Sequence, residues 1–318
     1  MGFELPILII GYNRPEFMKS LLDIVSNWQF SKLYISIDGA KSSDDYKDVE
    51  EVQKLIMNHQ ISKNQNIRFM QKNLGCKDHV LDALRWFYSN EESGIVLEDD
   101  CLPDDSFFLY SKTMLNEFKG DQKILMISGT NFKEQSKSTN SPIFSVFPHV
   151  WGWASWKDRI EEYLKTVHEP ITTNPVGAFK NTKGFGLYHS IYWMLIALNM
   201  KYKKIDTWDY QLSLFAFRKK IYTIVPPVNI VENIGFDHKS TNFFFKVNSN
   251  IQQKKYSMNI QNLPYPTVKQ DLEYDLNFVT TIVRSNYIMN SLKLLITLMF
   301  PKYFIYILKK SLKYLTLR

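Results

Sequence analysis

The sequence predicts an α/β sandwich: a mostly parallel central sheet covered by helices, followed by a C-terminal helical tail. Two observations carry this expectation. Between residues 5 and 127, short apolar, β-branched runs alternate with stretches that read as helices, the pattern of parallel strands joined by crossover helices. In addition, Tyr12-Asn13-Arg14, Asp38 and Glu98-Asp99-Asp100 each follow closely on one of those apolar runs. In a parallel sheet the strand ends share one rim, and ligands bind there.

Taken in order, residues 5–10 read as a buried strand that stops at Gly11. Pro15 suits the first turn of a helix reaching about residue 28, where a missing N–H costs nothing. Residues 33–37 form the next strand and end at Asp38-Gly39, and a helix over 46–58 follows. A third strand, 67–70, precedes a helix over 79–88. The fourth, 95–97, runs straight into the acidic triplet. A helix over 105–118 and a strand over 124–127 come next. Beyond residue 128 the alternation lapses into an aromatic-rich region, with helices expected near 156–165, 190–200 and 207–218 and a strand at 221–225. Residues 246–277 are polar and weakly patterned and read as a linker, and 278–318 as an apolar, basic tail.

Composition narrows the function classes. With 45% hydrophobic and 22% charged residues, a packed core is expected rather than disorder. The net charge of +7 belongs to the tail: after Asp275 come seven basic residues and no acidic one. A nucleic-acid partner is not expected, because the body lacks a basic excess of its own. Two cysteines, Cys76 and Cys101, exclude a disulfide scaffold and a four-cysteine zinc site. The N-terminal apolar run is too short for a signal peptide, which predicts a cytoplasmic site of action.

Several residues are candidates for chemistry. Three carboxylates after an apolar strand repel one another unless a cation or hydrogen-bond donors compensate them. Mg2+ or Mn2+ takes one or two such carboxylates plus phosphates and water; the plain alternative is a solvated acidic loop. Arg14 and Asp38 suit a phosphate and a base or ribose, or else simply pair with each other. Asp209, between Trp208 and Tyr210, is either a partly desolvated base or an acid favoured by a helix N-terminus. Gly152 and Trp153 belong to an aromatic run that either stacks on a sugar or fills the core. Gly235, in Asn233-Ile234-Gly235-Phe236, suits a loop hinge.

In this order and spacing, Arg14, Ile37-Asp38, Val96 to Asp100, Ser106-Phe107-Phe108, Phe147-Pro148 with Gly152-Trp153, and Trp208-Asp209 form a pattern. It resembles the nucleotide-diphospho-sugar glycosyltransferases of GT-A fold. The motif order is similar to that of the animal N-acetylglucosaminyltransferase I group and bacterial hemolytic-protein-like relatives, over roughly residues 3–245. The resemblance implies a nucleotide-binding half at 1–128 and an acceptor half at 129–245. It implies that Tyr12, Asn13, Arg14, Asp38, Glu98 and Asp99 hold the nucleotide-sugar donor, and that Asp100 ligates the Mn2+ or Mg2+ bridging its diphosphate. It further implies Asp209 as catalytic base, Gly152, Trp153 and Trp208 around the sugar or acceptor pocket, and Gly235-Phe236 as a closing loop. Asn13 stands where the animal enzymes carry an acid.

The function implied is an inverting, metal-dependent glycosyl transfer from a nucleotide-diphosphate sugar, a UDP-sugar by preference, to a glycan or lipid-linked acceptor in surface-polysaccharide synthesis. A sugar-nucleotide pyrophosphorylase would open with a Gly-rich phosphate loop, whereas here Gly11-Tyr12-Asn13-Arg14-Pro15 follows the first strand. A non-catalytic peripheral membrane protein with a degenerate transferase domain is the other alternative. In the tail, Pro301-Lys302 interrupts the apolar run, and Lys293 and Lys309 bracket 15 residues, fewer than the roughly 20 of a spanning helix. That predicts an in-plane helix on the anionic inner face of the cytoplasmic membrane, or a helical pair packed on the domain.

Overall fold

The computed structural model describes residues 2–59, 64–133, 141–205, 207–235, 254–261, 263–280 and 287–299. The chain opens with β1 (Gly2–Phe3), β2 (Ile7–Gly11), α1 (Pro15–Val25), β3 (Gln29–Phe30), β4 (Leu33–Ile37), α2 (Ser43–Asn58) and β5 (Gln65–Phe69). Next come α3 (Cys76–Asn90), β6 (Ser93–Glu98), β7 (Cys101–Pro103), α4 (Asp105–Glu117), β8 (Ile124–Ser128), β9 (Ile143–Ser145) and β10 (Trp153–Trp156). Helices α5 (Lys157–Thr166), α6 (Pro175–Thr182), α7 (Leu187–Lys201) and α8 (Trp208–Lys219) precede β11 (Tyr222–Val225) and β12 (Val231–Asn233). Helices α9 (Leu272–Phe278) and α10 (Tyr287–Met299) follow.

The expected α/β class holds. Eight strands form one sheet in the order β5-β4-β2-β6-β10-β8-β11-β9. β5, β4, β2 and β6 are parallel neighbours, whereas β10 runs antiparallel to both β6 and β8. β2 and β4 are buried at every position, as strands covered on both faces must be. Their side chains alternate between two cores. Ile7, Ile9, Ile35 and Leu97 face the cluster built with α1 and α4, while Leu8, Ile10, Tyr34 and Val96 face the one built with α3, α5 and α8. A third cluster joins α6, α7, α8 and α10 around Trp193, Ile196 and Phe217.

Two stretches singled out in the sequence are described in more detail by the structure. The segment read as a linker is, where described, docked on the domain. Met258, Ile260 and Leu263 pack against the first core, the Ser257 hydroxyl donates to Asp104 at 2.7 Å, and α9 is tied to β9 through the buried Asp275. Scattered apolar residues anchor it, too sparse to show a period in the sequence. In the Trp-rich run, β10 places Trp153 inside the sheet, 1% exposed, with its ring 6.0 Å from that of Trp208. Gly152 has φ +67°, and a Cβ there would sit 2.9 Å from a Val231 methyl, so packing explains this glycine.

Candidate active site

Because β4, β2 and β6 are parallel neighbours, their carboxyl ends deliver Asp38, Tyr12 to Arg14 and Glu98 to Asp100 to one rim. There they line a cavity of about 880 Å3 together with Trp208, Asp209 and Gly235. Ten of the predicted site residues thus share one cavity wall. Gly152 and Trp153 are not among them, and Phe236 lies outside the described residues.

The triplet is fixed by backbone pairing. The Asp99 N–H donates to the Ile10 carbonyl at 3.0 Å, continuing the β2–β6 ladder. Asp99 Oδ2 accepts from the Tyr12 N–H at 3.3 Å. Arg14 donates to Asp100 Oδ2 at 2.9 Å and stands 3.8 Å from Asp99, so Arg14 pairs with the triplet and not with Asp38. One guanidinium does not compensate three carboxylates. Burial, then the neighbouring Asp100, Asp99 and Asp209 charges, push Glu98 well above the usual carboxylate range. Burial and Asp100 push Asp99 up to about 7.

Asp38 is held by its own loop. Its Oδ1 accepts from the Gly39 and Leu74 N–H groups at 2.9 and 2.8 Å. Its Oδ2 accepts from the Gly75 N–H and from Asn73 Nδ2, both at 3.0 Å. Four donors fill the acceptor positions of one carboxylate. Asp38 therefore ties loop 73–75 to the rim and sets the start of α3. Asn13 Nδ2 donates to Asp45 of α2 at 2.8 Å.

On the opposite side, Thr207 precedes α8 and Trp208 and Asp209 open it. Trp208 is 3% exposed, and its carbonyl accepts from the Tyr163 hydroxyl at 2.9 Å, which pins the helix start. Burial raises the Asp209 carboxyl, opposed by the backbone N–H groups of Asp209 and Tyr210. A carboxylate held partly desolvated in this way is a better base.

Several cavity residues escaped the sequence reading. Asn233 donates to Asp100 Oδ1 at 3.4 Å and accepts from the Gly235 N–H at 2.8 Å. The antiparallel pairing of β12 with β7 sets Asn233 opposite Cys101. A Cβ on Gly235 would lie 2.0 Å from Asp100 Oδ2, so a larger residue there would push that carboxylate aside. Cys76 and His79 line the cavity from α3, and the His79 ring is 2.9 Å from the Ser36 hydroxyl. The far end is aromatic. Phe147, Trp151, Tyr192, Trp193, Tyr210 and Phe278 line it, with His149, which burial holds neutral with a pKa of about 3. Trp151, two residues before the expected Trp153, is the tryptophan of that run on the cavity wall.

Among the described residues, no group of three His, Cys, Asp or Glu side chains forms a self-sufficient metal site. The donor set nevertheless fits a hard divalent cation that shares its coordination with a substrate. It is all oxygen and centres on Asp100, with Glu98 and Asp99 beside it, whose carboxyls are raised first by burial and then by the neighbouring acids.

No family model and no curated protein matches this chain. Solved structures are similar to it at low identity. The mannosyltransferase PcManGT from Pyrobaculum calidifontis, in complex with GDP-Man and Mn2+, is 13% identical, with a TM-score of 0.37 over 67% of this chain and 68% of that one. The 4-diphosphocytidyl-2C-methyl-D-erythritol synthase of Anaerococcus prevotii is 11% identical, with a TM-score of 0.33 over 51% and 76%. A UDP-glucose pyrophosphorylase complexed with UDP-glucose is 9% identical, with a TM-score of 0.33 over 70% and 90%.

Proposed function

We propose that the cavity transfers a sugar from a nucleotide-diphosphate donor to an acceptor hydroxyl, with inversion at the anomeric carbon. The observation that carries this reading is the meeting, in one cavity, of Arg14 and the acidic triplet on the strand-end rim with a desolvated Asp209 on α8. The rim takes the nucleotide diphosphate. Tyr12, Asn13 and Asp45 stand toward the base, a uracil in the first instance, and Asp38 shapes the floor through loop 73–75. Arg14 offers guanidinium donors to phosphate oxygens, a charge-assisted contact. Asp100, beside Asn233 and Gly235, is the residue to hold Mn2+ or Mg2+, which when bound neutralises charge on the leaving diphosphate.

The aromatic end takes the acceptor, a glycan or lipid-linked hydroxyl compound whose apolar faces stack on the rings. Asp209 accepts the proton of the attacking hydroxyl. The new oxygen–carbon bond forms as the bond from the anomeric carbon to the diphosphate breaks, and the nucleoside diphosphate departs with that electron pair. A general base contributes roughly 10²- to 10⁴-fold. Asp209→Asn is therefore expected to lose about that much transfer while binding the nucleotide as before, measured by sugar transfer from a panel of UDP-sugars and by calorimetry with UDP. Near-normal turnover in that variant removes Asp209 from the mechanism.

A further inference from the structure

Helix α10 buries one side and, among the described residues, exposes an apolar other side. Leu294 is 1% exposed and packs into the third cluster with Leu298, and Asn199 of α7 donates to the Leu294 carbonyl at 3.2 Å. On the opposite side Leu292, Leu295, Ile296 and Met299 are 48, 43, 41 and 75% exposed. Positions i, i+3, i+4 and i+7 make one continuous stripe. A helix in a monomeric soluble domain shows charged residues there. The stripe instead lies within a stretch that, after Asp275, carries seven basic residues and no acidic one.

We propose that this stripe is a docking surface for an anionic membrane, with α10 lying in the plane of the bilayer interface. Apolar residues on the free face enter the boundary between head groups and acyl chains, and the net positive charge that the sequence carries after Asp275 favours an anionic surface. Pro301-Lys302 interrupts the apolar run of the tail, and no described helix is long and apolar enough to span a membrane. The packed side, held by Leu294 and Asn199, fixes the domain to the docked helix, so binding orients the whole protein. The inference stands independently of the transfer chemistry.

Co-sedimentation of the full chain with vesicles tests it. Binding is expected to vesicles of phosphatidylglycerol and phosphatidylcholine, to weaken with added salt, and to fall at least tenfold on vesicles of phosphatidylcholine alone. The double variant Leu295→Asp, Ile296→Asp changes exposed positions only and is expected to lose at least tenfold in binding with its circular dichroism and melting temperature unchanged. If that variant unfolds, Leu292→Ser, Met299→Ser repeats the test on the same stripe. Three outcomes overturn the proposal: no binding of the wild-type chain to anionic vesicles, equal binding by the folded variants, or a wild-type dimer in solution that those substitutions dissociate, which would assign the stripe to a second copy of the chain.

Discussion

Gly235 and Asp100 make the tightest contact of the candidate site. A methyl group at position 235 would lie 2.0 Å from Asp100 Oδ2, with Asp100 already held by Arg14 on that same oxygen. Gly235→Ala is therefore expected to displace the Asp100 carboxylate and to lower nucleotide affinity at least tenfold. The melting temperature should move by no more than a degree or two, since no core residue is touched. Calorimetry and thermal unfolding check both parts, and unchanged affinity would show that the Asp100 position does not matter for binding. At this scale the sequence was partly legible. Glu98, Asp99, Asp100 and Arg14 announce themselves as polar groups directly after apolar strands. Asn233 does not, because it lies 133 residues from Asp100 and reaches it only through the β7–β12 pairing. Nor do the four loop donors that hold Asp38.

Among the elements, α9 offers the clearest energetic test. Asp275 is fully buried at the join with β9 and accepts from the Ser145 hydroxyl at 2.6 Å, from Gln270 at 2.7 Å and from the Val146 N–H at 3.3 Å. Burial outweighs these donors and raises its carboxyl from 3.8 to about 6. The folded protein thus keeps a proton that the unfolded chain releases near pH 4. The stability this group contributes is present below pH 4 and is lost as pH rises through about 6, a change of about 3 kcal/mol. Asp275→Asn removes the titration. The stability difference between wild type and variant, from denaturant unfolding over pH 4 to 7, should shift in favour of the variant by roughly that amount as pH rises. A flat difference would mean that Asp275 titrates normally. The strands β2, β4 and β6 were legible because their apolar runs are strong, and helices α1 and α4 because Pro15 opens one and Asp104 caps the other. Strand β10 was not, because Trp-Ala-Ser-Trp lacks β-branched residues and its place between β6 and β8 is a tertiary choice. Helix α6 was missed although Asn174 caps it, accepting from the Val176 and Gly177 N–H groups.

For the molecule as a whole, parallel order among β4, β2 and β6 forces the polar strand ends into one cavity, and α8 closes that cavity with Asp209. That placement was readable in advance, since it depends only on strand direction. The aromatic wall was not, because it is assembled from Phe147, Trp151, Trp193 and Phe278, which lie far apart in the chain. The central claim is that the rim holds a nucleotide diphosphate with the help of a divalent cation at Asp100. It is tested most directly by calorimetry of UDP binding to the full chain with Mn2+, then with chelator, for wild type and Asp100→Ala. The account predicts binding that chelation or the substitution weakens at least tenfold. Binding of equal strength in all of these conditions, or no binding of UDP, GDP, dTDP or CMP by folded protein, would contradict it.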